Sequence, residues 1–448
     1  MADVSHIFKA YDIRGKVGDE LNDELARNVA RAFADWLPTE GAVAVGYDMR
    51  PDSKDLATAA IDGLKLQGRE VIEIGQVASD MIYFAVGSLN LAGGLMVTAS
   101  HNPGEYNGIK LCREGAGGVA LDSGLSDIRD KALSCDFQER QQGSVVQKDI
   151  MDAWVDHAIE FAGEGLEPLK IAVDAGNGMA GAVVPHLNGK VPFEITPLFF
   201  ELDGTFPNHQ ANPLKFETLR DLQKTITDNN LDGGVAFDGD GDRAVLVDEL
   251  GEPLTGSVTT ALLAEHFLAA KPSGTVLYNA ICSRIVPETI ERLGGKAIRT
   301  KVGHSLIKQK MKQHEAIFAG EHSAHYYFAD NYRADSGLIA ALAVLGLLSR
   351  SGKKLSELAA PYRKYVNSPE INFEVADKEA MIERIKQEYS DGEIDELDGL
   401  TVNYDDWWFN IRASNTEPLL RLNVEASTEL SLKDHVAHLK GVLSKKHD

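Results

Sequence analysis

The run Asp238-Gly239-Asp240-Gly241-Asp242-Arg243 places three carboxylates at alternate positions around two glycines. The glycines let the backbone curl, so the acid oxygens can converge on one point. Carboxylates that close repel one another unless a hard cation lies among them. A calcium loop of the EF-hand type is the nearest rival, with acids at its first, third and fifth positions and Glu249 at its last. It fails where Arg243 stands in place of the required glycine, and the flanks GGVAF and AVLV read as strands rather than helices. Three carboxylates in a strand–loop–strand site suit Mg²⁺ assisting phosphoryl chemistry better. The plain alternative is a solvated acidic turn.

A second constellation is Thr98-Ala99-Ser100-His101-Asn102-Pro103, followed by Asn107-Gly108-Ile109-Lys110. It is not the G-x-S-x-G elbow of serine hydrolases. Cationic and amide groups around a serine stabilise a phosphorylated hydroxyl; an Asn-Pro turn whose serine bonds only backbone is the rival. In Gly320-Glu321-His322-Ser323-Ala324-His325, a carboxylate and a hydroxyl one residue apart make a clamp for vicinal sugar hydroxyls, and the preceding Lys301-Val302-Gly303-His304 adds positive charge. Arg412-Ala413-Ser414-Asn415-Thr416-Glu417-Pro418 with Arg421 supplies forked donors and backbone N–H groups for a phosphate. The run Tyr11-Asp12-Ile13-Arg14-Gly15 is too short to mean much on physical grounds.

These residues need elements to hold them. The chain has 448 residues, which suggests about three domains. Val71–Ile74 and Gly94–Thr98 read as buried strands, and Leu21–Leu37 and Leu56–Leu66 as helices. Three stretches open alike, with a strand that breaks into a polar or Gly-rich turn: AVAVGYDMRPDS, KIAVDAGNGMAG and TVLYNAICSR. Each later shows an apolar strand followed by a polar loop: GGLMVTASHNPGEYNG, GGVAFDGDGDR and AIFAGEHSAHYY. Such recurrence predicts duplication of one α/β block. Ligands bind at the carboxyl ends of strands in open α/β sheets, so the three loops can converge on one cleft. The polar stretch CDFQERQQGSVVQKD reads as a linker, and the residues after about 367 as a smaller α+β domain. The expected domains are 1–147, 148–252, 253–366 and 367–448.

The formal net charge is −23, which disfavours nucleic acid and anionic membranes as partners. Arginines around a phosphate would then be a deliberate local exception. Three cysteines, Cys112, Cys135 and Cys282, form neither a disulfide framework nor a zinc pattern. No secretory h-region and no long apolar run are visible, so a cytoplasmic protein is expected.

Taken in order, YDIRG, TASHNP, DGDGDR, GEHSAH and RASNTEP resemble the motifs of the α-D-phosphohexomutase superfamily, closest to its bacterial phosphomannomutases. The resemblance runs from residue 11 to beyond 420. It implies three related mixed α/β domains and a C-terminal α+β phosphate-binding domain around a central cleft. It implies that Ser100 carries the phosphoryl group, and that Asp238, Asp240 and Asp242 bind Mg²⁺ with one phosphoserine oxygen. Glu321 and Ser323 would hold sugar O3 and O4. Arg412, Ser414, Asn415, Thr416 and Arg421 would grip the non-reacting phosphate. Arg14, His101 and Lys110 would line the reaction centre, with Lys110 or His325 moving the proton, and Tyr11, Arg243 and His304 would meet substrate. The implied reaction interconverts mannose 6-phosphate and mannose 1-phosphate through a hexose 1,6-bisphosphate, which also primes the enzyme. A phosphoglucomutase, a dual enzyme and a non-catalytic phosphosugar-binding protein are the alternatives. Hexose phosphates are the expected partners, and no obligate protein partner is evident. Three departures stand out: His322 where many relatives carry Met or Gln, Ala324 where many carry Gly, and Ile281 where certain dual-specificity relatives place a lysine.

Overall fold

The computed structural model describes residues 4–375, 377–413 and 419–443. One sheet plan occurs in three successive domains. In the second, Leu169–Asp174 lies between Phe193–Leu198 and Gly233–Phe237, all parallel, and Ala244–Asp248 returns antiparallel beside Gly233–Phe237. The third repeats this with Thr275–Asn279 at the centre, Lys296–Thr300 and Phe318–Gly320 on either side, and Tyr326–Phe328 returning. The first uses Val43–Tyr47, Val71–Gln76, Gly93–Val97 and Tyr106–Arg113, and adds Ile13–Lys16 antiparallel at the edge. Parallel neighbours need a crossover, and helices such as Ser53–Leu66 and Ile285–Arg292 supply it. Because helices cover the sheet, Gly233–Phe237 and Ala244–Asp248 are buried on both faces, which is why they read as unbroken apolar runs.

In every one of the three, one parallel strand ends at the cleft and the chain turns straight back. The turns are residues 98–105, 238–243 and 321–325, so the expected duplication places all three polar loops at equivalent points. The helix Gly337–Ser351 is apolar all round, as a core helix must be, and Ser336 caps it by accepting from the Ile339 N–H. It packs on the Ala244–Asp248 strand and the helix Gly256–Ala270, joining the second and third domains. The core continues from there into Met81–Val86 of the first domain.

The fourth domain is an antiparallel sheet in the order Val366–Asn367, Leu419–Ala426, Trp407–Ala413, Leu400–Asn403, Glu393–Asp395, with Ile371–Glu374 also along Leu419–Ala426. The helices Lys378–Glu388 and Glu429–Leu443 share its core through Met381, Ile385, Leu439 and Val442. One expectation needs correction. The stretch read as a linker contains a strand, Val145–Gln147, parallel to Val71–Glu73. An edge strand with both faces in water carries no apolar alternation, and Val145 and Val146 are exposed.

Candidate active site

Ser100 follows the strand Gly93–Val97 and sits in the left-handed region at φ 51°. A non-glycine residue holds that conformation only when its surroundings enforce it. Thr98 Oγ1 accepts the Ser100 N–H at 2.9 Å. Buried Arg50 donates from Nη2 to the carbonyls of Ser100 (2.8 Å) and Asn102 (2.6 Å), and from Nη1 to those of Pro103 and Tyr106 (both 2.8 Å). Asp48 pairs with Arg50 Nε at 3.4 Å and accepts from Ser53 Oγ at 2.5 Å. One guanidinium therefore sets the shape of the whole serine loop.

Its hydroxyl faces the acidic loop. Ser100 Oγ donates to Asp238 Oδ2 at 2.9 Å and lies 3.1 Å from His101 Nδ1. Lys110, from the antiparallel return strand, donates to Asp240 Oδ2 and Asp242 Oδ2, each at 2.6 Å. Ser79 Oγ donates to Asp240 Oδ2 at 2.6 Å. Carboxylate oxygens of Asp238, Asp240 and Asp242 all lie within 4.8 Å of one another. Among the described residues, buried Asp240 Oδ1 and Asp242 Oδ1 accept no hydrogen bond. A buried all-oxygen set with unspent lone pairs fits a hard divalent cation such as Mg²⁺. Glu249, the rival calcium ligand, instead accepts from the Ser356 N–H at 3.1 Å.

Burial, then the charges of Asp242 and Asp240, push the Asp238 carboxyl well above the usual range. Asp240 and Asp242 are buried too, which raises them, yet Lys110 more than offsets this and both end low. Lys110 is pulled down by burial but raised further by Asp240 and Asp242, so it is fixed as an ammonium. The second proton-transfer candidate, His325, is held at both ring nitrogens. Buried Asp335 accepts from His325 Nδ1 at 3.0 Å, and His325 Nε2 accepts from Arg243 Nε at 2.9 Å. Lys308 Nζ stands 3.1 Å from Asp335 Oδ1. His101 is held neutral by burial and then by Arg243 and Arg14, all of which lower its pKa. Arg14 donates to Asp12 Oδ2 at 2.8 Å and to Asn102 Oδ1 at 2.7 Å.

The structure thus gathers Ser100, His101, Lys110, Arg14, the three aspartates, Arg243 and His325 in one place. Glu321 belongs to the same loop as His325; it is buried and accepts from Tyr327 OH at 2.6 Å and Asn279 Nδ2 at 3.0 Å. Ser323 is half-buried beside it, and Ala324 takes φ 61°, where a Gly would sit without strain. Ile281 is buried. Tyr11 OH donates to the Val302 carbonyl at 3.0 Å. Arg412 and Arg421 both face Glu370, at 2.6 and 3.6 Å. Ser414, Asn415, Thr416 and the side chain of His304 lie outside the described residues.

The residues sequence reasoning missed are Arg50, Ser79, Lys308, Asp335, Asn279 and Tyr327. Arg50 and Asn279 had a local signal, the polar turns of DMRPDS and TVLYNAICSR directly after a strand, and Tyr327 falls in the quoted AIFAGEHSAHYY.

Four domain families match the chain in order: phosphoglucomutase/phosphomannomutase alpha/beta/alpha domain I over residues 5–139, domain II over 152–251, domain III over 255–365, and the C-terminal domain over 370–439. A protein of Xanthomonas campestris pv. campestris named "Phosphohexose mutases" is 42% identical over 431 residues, covering 95% of this chain and 96% of its own. The Escherichia coli K12 phosphomannomutase is 38% identical over 439 residues, with 95% and 96% covered. A Burkholderia thailandensis phosphoglucomutase/phosphomannomutase family protein superposes with a TM-score of 0.89 at 32% identity, covering 99% of both chains. An Aspergillus fumigatus N-acetylphosphoglucosamine mutase in complex with glucose 1,6-bisphosphate shares the fold at 14% identity and a TM-score of 0.64, over 97% of this chain and 94% of its own. No helix among the described residues is long and apolar enough to cross a membrane. Matched in all four domains and along nearly its whole length, the chain belongs to the α-D-phosphohexomutase superfamily, close to the bacterial phosphomannomutases, and is an isomerase-type phosphotransferase.

Proposed function

We propose that the protein interconverts mannose 6-phosphate and mannose 1-phosphate by way of a phosphorylated Ser100 and a hexose 1,6-bisphosphate. The observation that carries this is the Ser100 hydroxyl, 2.9 Å from Asp238 within a buried triad of acids. Asp238, Asp240, Asp242 and a phosphoserine oxygen would hold Mg²⁺, which offsets charge on the transferring group when bound. The bond from phosphorus to Ser100 Oγ breaks as a bond from phosphorus to a sugar hydroxyl oxygen forms. His325 Nε2, once released from the Arg243 N–H that it accepts here, takes the hydroxyl proton, and Arg14, Lys110 and Arg243 balance charge around the phosphoryl oxygens. Glu321 and Ser323 hold O3 and O4. Arg412, Ser414, Asn415, Thr416 and Arg421 grip the other phosphate, with Tyr11, His304 and Arg243 completing the substrate surround. The bisphosphate then turns end for end and returns a phosphoryl group to the serine.

Relatives named phosphomannomutase, at 37–38% identity along nearly the whole chain, support mannose as the sugar. A second reading, a dual phosphomannomutase/phosphoglucomutase, is favoured by the Glu321–Ser323 clamp, because mannose and glucose share O3 and O4 and differ at C2. One experiment separates them. Enzyme primed with a hexose bisphosphate is assayed on mannose 1-phosphate and glucose 1-phosphate, with intact-protein mass spectrometry alongside. We expect one phosphoryl group, absent from Ser100→Ala, and a clear preference for mannose 1-phosphate. Equal turnover supports the dual enzyme. Steady release of free phosphate, or no phosphorylated protein at all, refutes the mutase reading.

A further inference from the structure

Arg412 and Arg421 are directly opposed on neighbouring antiparallel strands. Like charges in that position destabilise a sheet. The structure relieves the repulsion with Glu370, which immediately precedes the strand Ile371–Glu374 on the far side of Arg421. Arg412 Nη2 donates to Glu370 Oε2 at 2.6 Å, and Arg421 Nη1 stands 3.6 Å from Glu370 Oε1. Each carboxylate oxygen thus addresses one guanidinium, as two oxygens of a phosphate would. The carboxylate is not a stray surface group: its side chain is 32% exposed, and the Arg412 side chain 12%. Burial lowers the pKa of His322, the neighbour of Glu321, and the charges of Glu370 and Arg412 both act on it, in opposite senses. Glu370 and Arg412 therefore lie close enough to the sugar loop for their charges to act on it.

A phosphate reaching these arginines meets one net positive charge from the three side chains, not two. An enzyme that must release a bisphosphate and take it back reversed gains nothing from a maximal grip, since tight binding of an intermediate deepens the well from which it must escape. We propose that Glu370 is an internal counter-ion that competes with the substrate's distal phosphate for Arg412 and Arg421, and so sets how long the bisphosphate is held. This rests on the reading of the two arginines as the phosphate grip.

The test uses the full-length protein and glucose 1,6-bisphosphate, by titration calorimetry and by steady-state assay. Glu370→Gln keeps shape and removes charge. It should bind the bisphosphate about tenfold more tightly, lower KM, and lower kcat as the intermediate lingers. Glu370→Asp keeps the charge and should stay within about threefold of wild type in both measurements, which separates loss of charge from loss of packing. Unchanged or weaker binding by Glu370→Gln, with an unaltered melting curve, overturns the proposal. If Glu370→Gln melts early, the Asp and Asn variants are compared instead, and equal affinities overturn it. Failure of the underlying grip reading shows separately, as Arg421→Gln leaving the affinity for bisphosphate untouched.

Discussion

Gly239 is the point where the acidic loop passes beneath the serine loop, and replacing it with alanine tests that contact directly. A Cβ there would lie 2.5 Å from the Ser100 carbonyl oxygen and 3.3 Å from its carbonyl carbon, whereas ordinary contact begins at 3.4 Å. The loops must part by about 1 Å, and close-packed interiors resist such shifts. The serine side cannot drift freely, because Arg50 Nη2 holds that same carbonyl oxygen at 2.8 Å. The acidic loop is blocked behind, where the Met179 N–H donates to the Gly239 carbonyl at 2.9 Å and a Cβ on Gly178 would already be 2.6 Å from it. The displacement therefore falls on the reacting groups, the Ser100 Oγ to Asp238 contact of 2.9 Å. A misplacement of about 1 Å costs on the order of a hundredfold in rate, or about 2.7 kcal/mol of barrier. The assay is kcat and KM on mannose 1-phosphate, with a thermal melt of the same preparation. We expect kcat to fall roughly a hundredfold and KM to move little, since the sugar and distal-phosphate contacts come from other loops. A kcat within about threefold of wild type, with an unchanged melt, would mean that the two loops are not packed in this way.

Arg50→Lys replaces a fork serving four carbonyls and Asp48 with a single ammonium. Buried acceptors left unpaired cost about 1–3 kcal/mol each, so denaturant melts should show about 3 kcal/mol lost and assays at least a tenfold drop in kcat; a wild-type melt and rate would refute the organising role. Asp240→Asn removes a charge shared with Lys110 and should lower activity by about a hundredfold while raising the Mg²⁺ concentration needed for half-maximal rate; a wild-type rate with an unchanged Mg²⁺ requirement would contradict the assignment. His101 is held well below 6.5 by burial, then by Arg243 and Arg14. Below about pH 6.5 the unfolded chain takes up a proton that the native imidazole refuses, so native stability falls as pH drops toward the folded pKa. His101→Gln should flatten that part of the Tm-against-pH curve between about pH 5 and 6.5, and an unchanged slope would show the imidazole is not held neutral.

What the sequence disclosed follows from how local each signal is. The alternating acids of residues 238–243 declare themselves within one loop, and the strands beside them read correctly because burial on both faces leaves only apolar residues. The strand expected at Gly94–Thr98 lies at Gly93–Val97. Arg50 was hidden because its partners are carbonyls about fifty residues away, and backbone carbonyls have no sequence identity. Asp335 meets His325, and Lys308 meets Asp335, only after the third domain has folded around them, and Asn279 and Tyr327 reach Glu321 from two other strands. The strand Val145–Gln147 escaped for the opposite reason: at an exposed edge, nothing selects an apolar pattern.

The charge state of the acidic loop leads to a further prediction. Asp238, Asp240 and Asp242 face Lys110 and Arg243, with the charge of Arg14 also acting on Asp240 and Asp242, so three buried acids must share these few cations. The fold settles this by an unequal division. Lys110 pairs with Asp240 and Asp242 and keeps both low, while burial and then these two neighbours push the Asp238 carboxyl well above the ordinary carboxylate range. A divalent cation among the three oxygens would reverse the balance, since it favours the ionised form of every acid around it. Binding of Mg²⁺ should therefore expel a proton from Asp238, and Mg²⁺ affinity should weaken as pH falls through the raised pKa. Calorimetric titrations with Mg²⁺ in two buffers of different ionisation enthalpy, repeated at several pH values, should report a proton release per ion that grows as pH falls. Asp238→Asn should abolish that release even where residual binding persists. Heats that are the same in both buffers would show that Asp238 is already ionised, and that Lys110 and Arg243 together neutralise the loop more fully than the observed pairing allows.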